Sequence, residues 1–138
     1  MPPKDSLGEI MTTDLTMLTL SALLTALLAL PGVVGLILEK GLTYAAGNRE
    51  EPAQLPAWAD RAQRAHRNML ENLPVFAALV LVANISGAAN ETTAQGATLF
   101  FYARIAHALV YIAGVPWART AAFAASVAGL FMILFEIL

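Results

Sequence analysis

Between Arg61 and Phe76 the sequence sets three arginines, two asparagines, a histidine and a glutamate directly ahead of the apolar run 77–83. On a helix turning about 100° per residue, Arg64, Arg67, Asn68 and Glu71 share one face within about a third of the circumference. His66 points away from them and reads as structural. At about 1.5 Å of rise per residue the face is about 10 Å long, room for a small, doubly charged ligand. Further along, Arg104, His107 and Tyr111 fall within about 60° of arc over two turns of another helix, with Tyr102 turned away.

Guanidinium forks suit carboxylates. Glu71 can accept from an ammonium, and Asn68 can donate or accept. The set matches a small peptide-like anion carrying an amine, and glutathione, with two carboxylates, an amine and a thiol, fits it. A thiol of pKa about 8.5 becomes largely thiolate at neutral pH when a fixed cation lies beside it. Arg119, next to Thr120 at the start of an apolar segment, is the candidate cation, and the helix N-terminus adds favourable partial charge there. Plainer readings stand beside these. Arg67 and Glu71, at i,i+4, also suit an intrahelical ion pair. His107 also suits a satisfied interior histidine, Arg104 a structural partner for Glu71 across the helices, and Arg61 a solvated or lipid-headgroup position.

The elements that must position these residues follow from composition. The 138 residues are 58% hydrophobic and 13% charged, with mean hydropathy +0.64. An ordinary soluble domain carries about 25% charged residues, so the chain lies on the membrane side. A net charge of −2 without a basic aromatic patch gives no reason to expect nucleic acid. The absence of cysteine excludes disulfides, thiolate ligands and a cysteine nucleophile. Two histidines and scattered carboxylates make no metal motif, and no Gly-rich phosphate loop is present.

Residues 15–38 carry no charge and are long enough to cross a hydrocarbon core of about 30 Å. The polar stretch before them has one lysine, Lys4, and no basic n-region, so the segment reads as a retained span. Pro31-Gly32 bends it, Glu39 and Lys40 close it, and 41–59 reads as a loop. A second helix starts near Pro56 and runs to about Ile85, bending near Pro74. A polar turn at 86–94 leads to a third helix from about Gln95 to Ala113. Gly114-Val115-Pro116 breaks the chain, and a fourth runs from about Arg119 to the end. Lys40, Arg49, Arg61, Arg64, Arg67 and Arg119 place the first and third loops in the cytoplasm and both termini on the far side. Trp58 and Trp117 fall at the cytoplasmic edge. In the last helix Ala121, Ala125 and Gly129 form a stripe that lets helix backbones approach closely. Ionisable residues at membrane depth cost at least about 2.5–3.5 kcal/mol each on insertion scales, so they face protein or water. The polar faces of the second and third helices therefore turn towards a shared cleft, and an oligomer with that cleft between subunits is expected.

The stretch Arg64-Ala-His-Arg67-Asn68-x-x-Glu71-Asn-x-Pro74-x-Phe76 resembles the signature of the MAPEG family, membrane-associated proteins in eicosanoid and glutathione metabolism. Arg104-x-x-His107-x-x-x-Tyr111 resembles that family's third-helix motif, and Arg119 with Thr120 matches its catalytic arginine and the serine beside it. Phe123 stands where a synthase-type tyrosine would be expected. The resemblance covers nearly the whole chain. It implies a homotrimer with glutathione held between neighbouring subunits and a lipophilic substrate entering from the bilayer. Arg67, Asn68, Glu71, His107, Tyr111 and Arg119 would contact glutathione.

The expectation is thus an all-α integral membrane four-helix bundle, one domain over 1–138 with spans at about 15–40, 57–85, 95–113 and 119–138, in an inner or plasma membrane. Its expected function is that of a glutathione-dependent transferase or peroxidase acting on lipophilic electrophiles or lipid hydroperoxides. Arg119, Thr120 and Tyr111 would be catalytic, and Arg64, Arg67, Asn68, Glu71, Arg104 and His107 would hold the cosubstrate. A non-catalytic lipid-binding or scaffold protein of the same fold is the first alternative. A small transporter is the second, and it lacks a free mid-span carboxylate.

Overall fold

The computed structural model describes residues 11–138, and the polar N-terminal stretch with Lys4 lies outside the described residues. Among the described residues five helices occur in order: α1 Thr13–Lys40, the short α2 Leu42–Ala46, α3 Ala57–Ser86, α4 Glu91–Ala113 and α5 Pro116–Ile137. The four long ones are long and apolar enough to span a bilayer. No strand occurs among the described residues. Leucines 23, 27, 30 and 38, with Ile85, Leu109 and Phe135, stand exposed around the bundle. That is the arrangement lipid tails require.

Neighbouring helices run antiparallel, as the cross-contacts establish. Thr12 Oγ1 donates to Asn84 Oδ1 at 3.0 Å at one end of the α1–α3 pair, while Gly35 faces Ala59 at the other. Phe76 of α3 stacks on Phe100 of α4 with ring centroids 4.0 Å apart. Around them Met69, Val80, Ala83, Ala97 and Ile133 close the core. The α4–α5 contact is the most extensive in the fold. It depends on Gly96 and Gly129, where a Cβ on Gly96 would stand 2.8 Å from the Gly129 carbonyl oxygen. Of the small-residue stripe in α5 only Gly129 makes this contact; Ala121 is exposed and Ala125 half-buried.

The element ends differ from the sequence reading in three places. The α4 helix begins at Glu91 rather than near Gln95, because Asn90 forms a capping box with Thr93: its side chain accepts from Thr93 N at 3.0 Å and its own N–H donates to Thr93 Oγ1 at 2.9 Å. The polar turn therefore shrinks to the few residues around Gly87. The α5 helix begins at Pro116, a residue that has no N–H to leave unsatisfied in a first turn. The loop at 41–59 contains the one-turn helix α2, and Pro56 is the N-cap of α3. Both α1 and α3 continue unbroken through Pro31 and Pro74.

Candidate functional site

At the end of the bundle where α4 turns into α5, a cleft of about 240 Å³ opens between α3, α4 and α5. Asn68, His107, Tyr111, Arg119, Thr120 and Phe123 line it. Spacing puts them there. His107 and Tyr111 are one turn apart on α4, and Arg119 lies in the first turn of α5, its N–H on the Val115 carbonyl at 3.2 Å. The Arg119 guanidinium carbon sits 4.6 Å from the Tyr111 ring centre, close enough for a cation–π contact. Tyr111 meets the His107 ring edge-on at 5.4 Å, and Phe123 tilts against His107 at 6.4 Å. Thr120 Oγ1 donates to the Pro116 carbonyl at 3.2 Å, whereas Tyr111 Oη has no hydrogen-bond partner among the described residues. Tyr111 is therefore the open hydroxyl of the cleft.

Arg104 stands behind this cleft, only 1% exposed. Its Nη2 donates to Asn68 Oδ1 at 2.7 Å and its Nε to the Met69 sulfur at 3.3 Å, while Nη1 is buried without a partner among the described residues. Asn68 thus faces the cleft with its amide fixed by a buried cation. Hydrogen bonds to charged groups contribute roughly 1.5–3 kcal/mol, so Asn68→Leu is expected to destabilise the fold by about that much. A fall in the unfolding midpoint in detergent would show it; an unchanged midpoint would mean that Arg104 finds another acceptor.

The remaining candidates do not enter this cleft. Among the described residues the single ion pair is Arg64 Nη2 to Asp60 Oδ2 at 2.7 Å, and both partners are well exposed. An exposed pair of this kind contributes at most about 1 kcal/mol. Arg67 makes no ion pair with Glu71 among the described residues; instead it lines a second crevice, of about 390 Å³, between α1 and α3. Arg49, Gln63 and His66 share that crevice over an apolar floor that includes Gly32 and Leu36. Glu71 is exposed between the two clefts. The polar face of α3 is therefore divided. Asn68 looks towards α4 and α5, Arg67 looks towards α1, and Arg64 and Glu71 stand between them. A wider cavity of about 770 Å³ under the α2–α3 loop includes Glu39 and Asp60 but no cationic lining residue, so it is ill-suited to an anion.

Two contributors escape a reading of the sequence. Met69 is fully buried and lends its sulfur to Arg104. Arg61 is no mere headgroup contact: its Nε donates to the Ile112 carbonyl at 2.8 Å, closing the end of α4. No sequence signal marks either, since a sulfur and a backbone carbonyl are chosen by three-dimensional proximity.

Four bilayer-length helices enclosing an arginine-bearing polar cleft at one end define a small polytopic integral membrane protein. The chain belongs to the MAPEG family, whose model matches residues 15–138, a range that includes every candidate site residue. That membership makes it a membrane protein of the kind found in glutathione and eicosanoid metabolism. No curated protein matches the chain.

Proposed function

We propose that the protein is a membrane-embedded glutathione-dependent transferase or peroxidase acting on lipophilic electrophiles or lipid hydroperoxides. The observation that carries this reading is Arg119, a cation at the cleft that no carboxylate among the described residues neutralises and that lies against Tyr111. The donor set fits the tripeptide: forked guanidiniums for carboxylates, Asn68 for an amide, and Glu71 for an amine. Glutathione, when bound, would supply a thiol whose deprotonated form either attacks an electrophilic carbon, displacing its leaving group or adding to a conjugated double bond, or attacks a peroxide oxygen, breaking the O–O bond to release the alcohol, after which a second glutathione converts the sulfenic acid to the disulfide and water. Arg119 favours that deprotonated sulfur by charge, with the α5 N-terminus adding to it. Tyr111 Oη is the hydroxyl free to donate to the sulfur, ahead of Thr120, whose proton is held by Pro116. His107 packs against both Phe123 and Tyr111, the ring that Arg119 covers. Proximity within the cleft supplies the rest.

The subunit's own cleft, about 240 Å³, lies below the roughly 300–1,000 Å³ usual for ligand pockets. A neighbouring copy would complete it. Because α3 presents Arg67 on one side and Asn68 on the other, joining the crevice of one copy to the cleft of the next is a heterologous contact, the kind that forms a ring when its rotation closes. We take that ring to be a homotrimer in an inner or plasma membrane. The cleft end faces the cytoplasm, where Lys40, Arg49, Arg61, Arg64, Arg67 and Arg119 gather, and both termini lie opposite. The bonded Thr120 hydroxyl and the hydroxyl-free Phe123 favour a second reading, a lipid-binding or scaffold protein without turnover.

Conjugation of glutathione to a lipophilic electrophile by the protein in liposomes separates the two. Turnover is expected in the wild type and not in Arg67→Ala or Arg119→Ala alone. Co-expressing the two variants should restore roughly a quarter of the wild-type sites, from random pairing around a ring. Tight glutathione binding with only background conversion would establish the scaffold reading instead.

A further inference from the structure

Helix α4 ends with no basic residue in its last turn, so its own sequence does nothing for the negative end of its dipole. Its last carbonyls are nonetheless met. Gly114 N–H donates to the Val110 and Tyr111 carbonyls at 3.0 and 3.1 Å, and Val115 N–H donates to Val110 at 3.0 Å. The Ile112 carbonyl is taken from outside the helix by Arg61 Nε at 2.8 Å. The Arg61 guanidinium also lies against Gly114, whose φ of +83° is in the left-handed region, 3.4 Å from where a Cβ would stand. A cation from α3 thus braces both the last turn of α4 and the glycine that reverses the chain.

The start of α5, just past that glycine, has little hold of its own. Its N-cap, Val115, makes no side-chain cap, and Pro116 has no N–H. Arg119 is one turn further on, tied back to Val115 by its N–H at 3.2 Å, and its guanidinium must return 4.6 Å above the ring of Tyr111 on α4. The angle between the end of α4 and the start of α5 decides whether it does. On α3, Arg61 and Asn68 are seven residues apart on one stripe, and both bond α4, at Ile112 and Arg104. The two clamps bracket His107 and Tyr111.

We infer that Arg61 is a positioning residue: by holding the Ile112 carbonyl and the Gly114 turn, it sets where Arg119 sits over Tyr111. This rests on the reading of Arg119 as the cation that serves the thiol, but the placement itself can be read without any thiol. Arg61→Gln removes the charge and the forked donor. Arg61→Lys keeps a charge near the carbonyls and loses the flat face against Gly114.

The test uses the full chain in nanodiscs. Side-chain arginine NMR reads the ring-current displacement of the Arg119 Nε–H resonance, with Tyr111→Leu as the assignment control. The displacement is expected in the wild type, largely lost in Arg61→Gln and partly kept in Arg61→Lys. Turnover should track it: misplacing a catalytic group by about 1 Å can cost up to 100-fold, and about tenfold in kcat is expected for Arg61→Gln. KM for the lipophilic substrate should stay unchanged and Arg61→Lys should recover part of kcat. An Arg119 resonance that does not move in Arg61→Gln overturns the inference. So does activity that falls only as far as the folded fraction falls. If the wild type shows no turnover at all, the proposed function fails, while the Arg119 resonance still decides the role of Arg61.

Discussion

Arg119→Ala should lower kcat/KM for glutathione conjugation by about 10²–10³-fold while leaving the protein folded. Removing one fixed donor from a developing anion costs roughly 2.7–4 kcal/mol in transition-state stabilisation, and a neighbouring cation acts on a thiolate in the same way. The cost to stability should be far smaller. Arg119 is half-buried, and its contact with Tyr111 is a cation–π pair of about 0.5–1 kcal/mol at an accessible site. The two magnitudes differ enough to be separated in one experiment. Steady-state kinetics beside a thermal melt in the same detergent should show a large loss of rate with a small change in midpoint. Equal kcat/KM in wild type and variant would remove Arg119 from the chemistry, and a collapse of the melt would make it a structural residue.

The largest expected effect on stability lies at Gly129, far from that cleft. A Cβ there would stand 2.5 Å from the Gly96 carbonyl oxygen and 3.0 Å from the Phe100 nitrogen. Both are backbone atoms, so relief requires moving α4 against α5, the most extensive contact in the fold. Overpacking a core typically costs about 1–3 kcal/mol, and rigid backbone on both sides puts Gly129→Ala at the upper end and Gly129→Leu beyond it. Unfolding midpoints of both variants in detergent should fall in that order. Ala121→Leu, at an exposed position on the same stripe, serves as the control and should be close to neutral in the monomer's packing. A Gly129→Ala midpoint equal to that of the wild type would contradict the close approach of the two helices.

The span pattern is legible in the sequence because a bilayer imposes its own length on apolar runs, and the MAPEG resemblance is carried by Arg64 through Phe76. The grouping of His107, Tyr111 and Arg119 is also legible, since helix spacing and a short Gly-Val-Pro turn leave few alternatives. The division of the α3 face is not. Periodicity shows that Arg67 and Asn68 share a face, but only the packing of α1 and α4 on either side decides which neighbour each one meets.

The ion pairs carry a sharper lesson. Spacing alone allows an Arg67–Glu71 pair, while the pair that forms is Asp60–Arg64. An acidic residue N-terminal to its basic partner follows the helix dipole, and Arg67–Glu71 has the unfavourable order. That difference is present in the sequence and points the right way. The starts of α4 and α5 fall earlier than the sequence suggests for a related reason. Asn90 resembles a turn residue but acts as a cap, and Pro116 resembles a breaker but serves as a first residue.

The most direct test is the ultraviolet thiolate absorbance of glutathione bound to the wild-type protein in nanodiscs, followed from acid to neutral pH. A free thiol ionises at about pH 8.5, and a fixed guanidinium should bring the midpoint of the bound form below about pH 7.5. A saturable thiolate signal at neutral pH is expected in the wild type, and its loss is expected in Arg119→Ala. Glutathione that binds and stays protonated in both proteins would contradict the role given to Arg119.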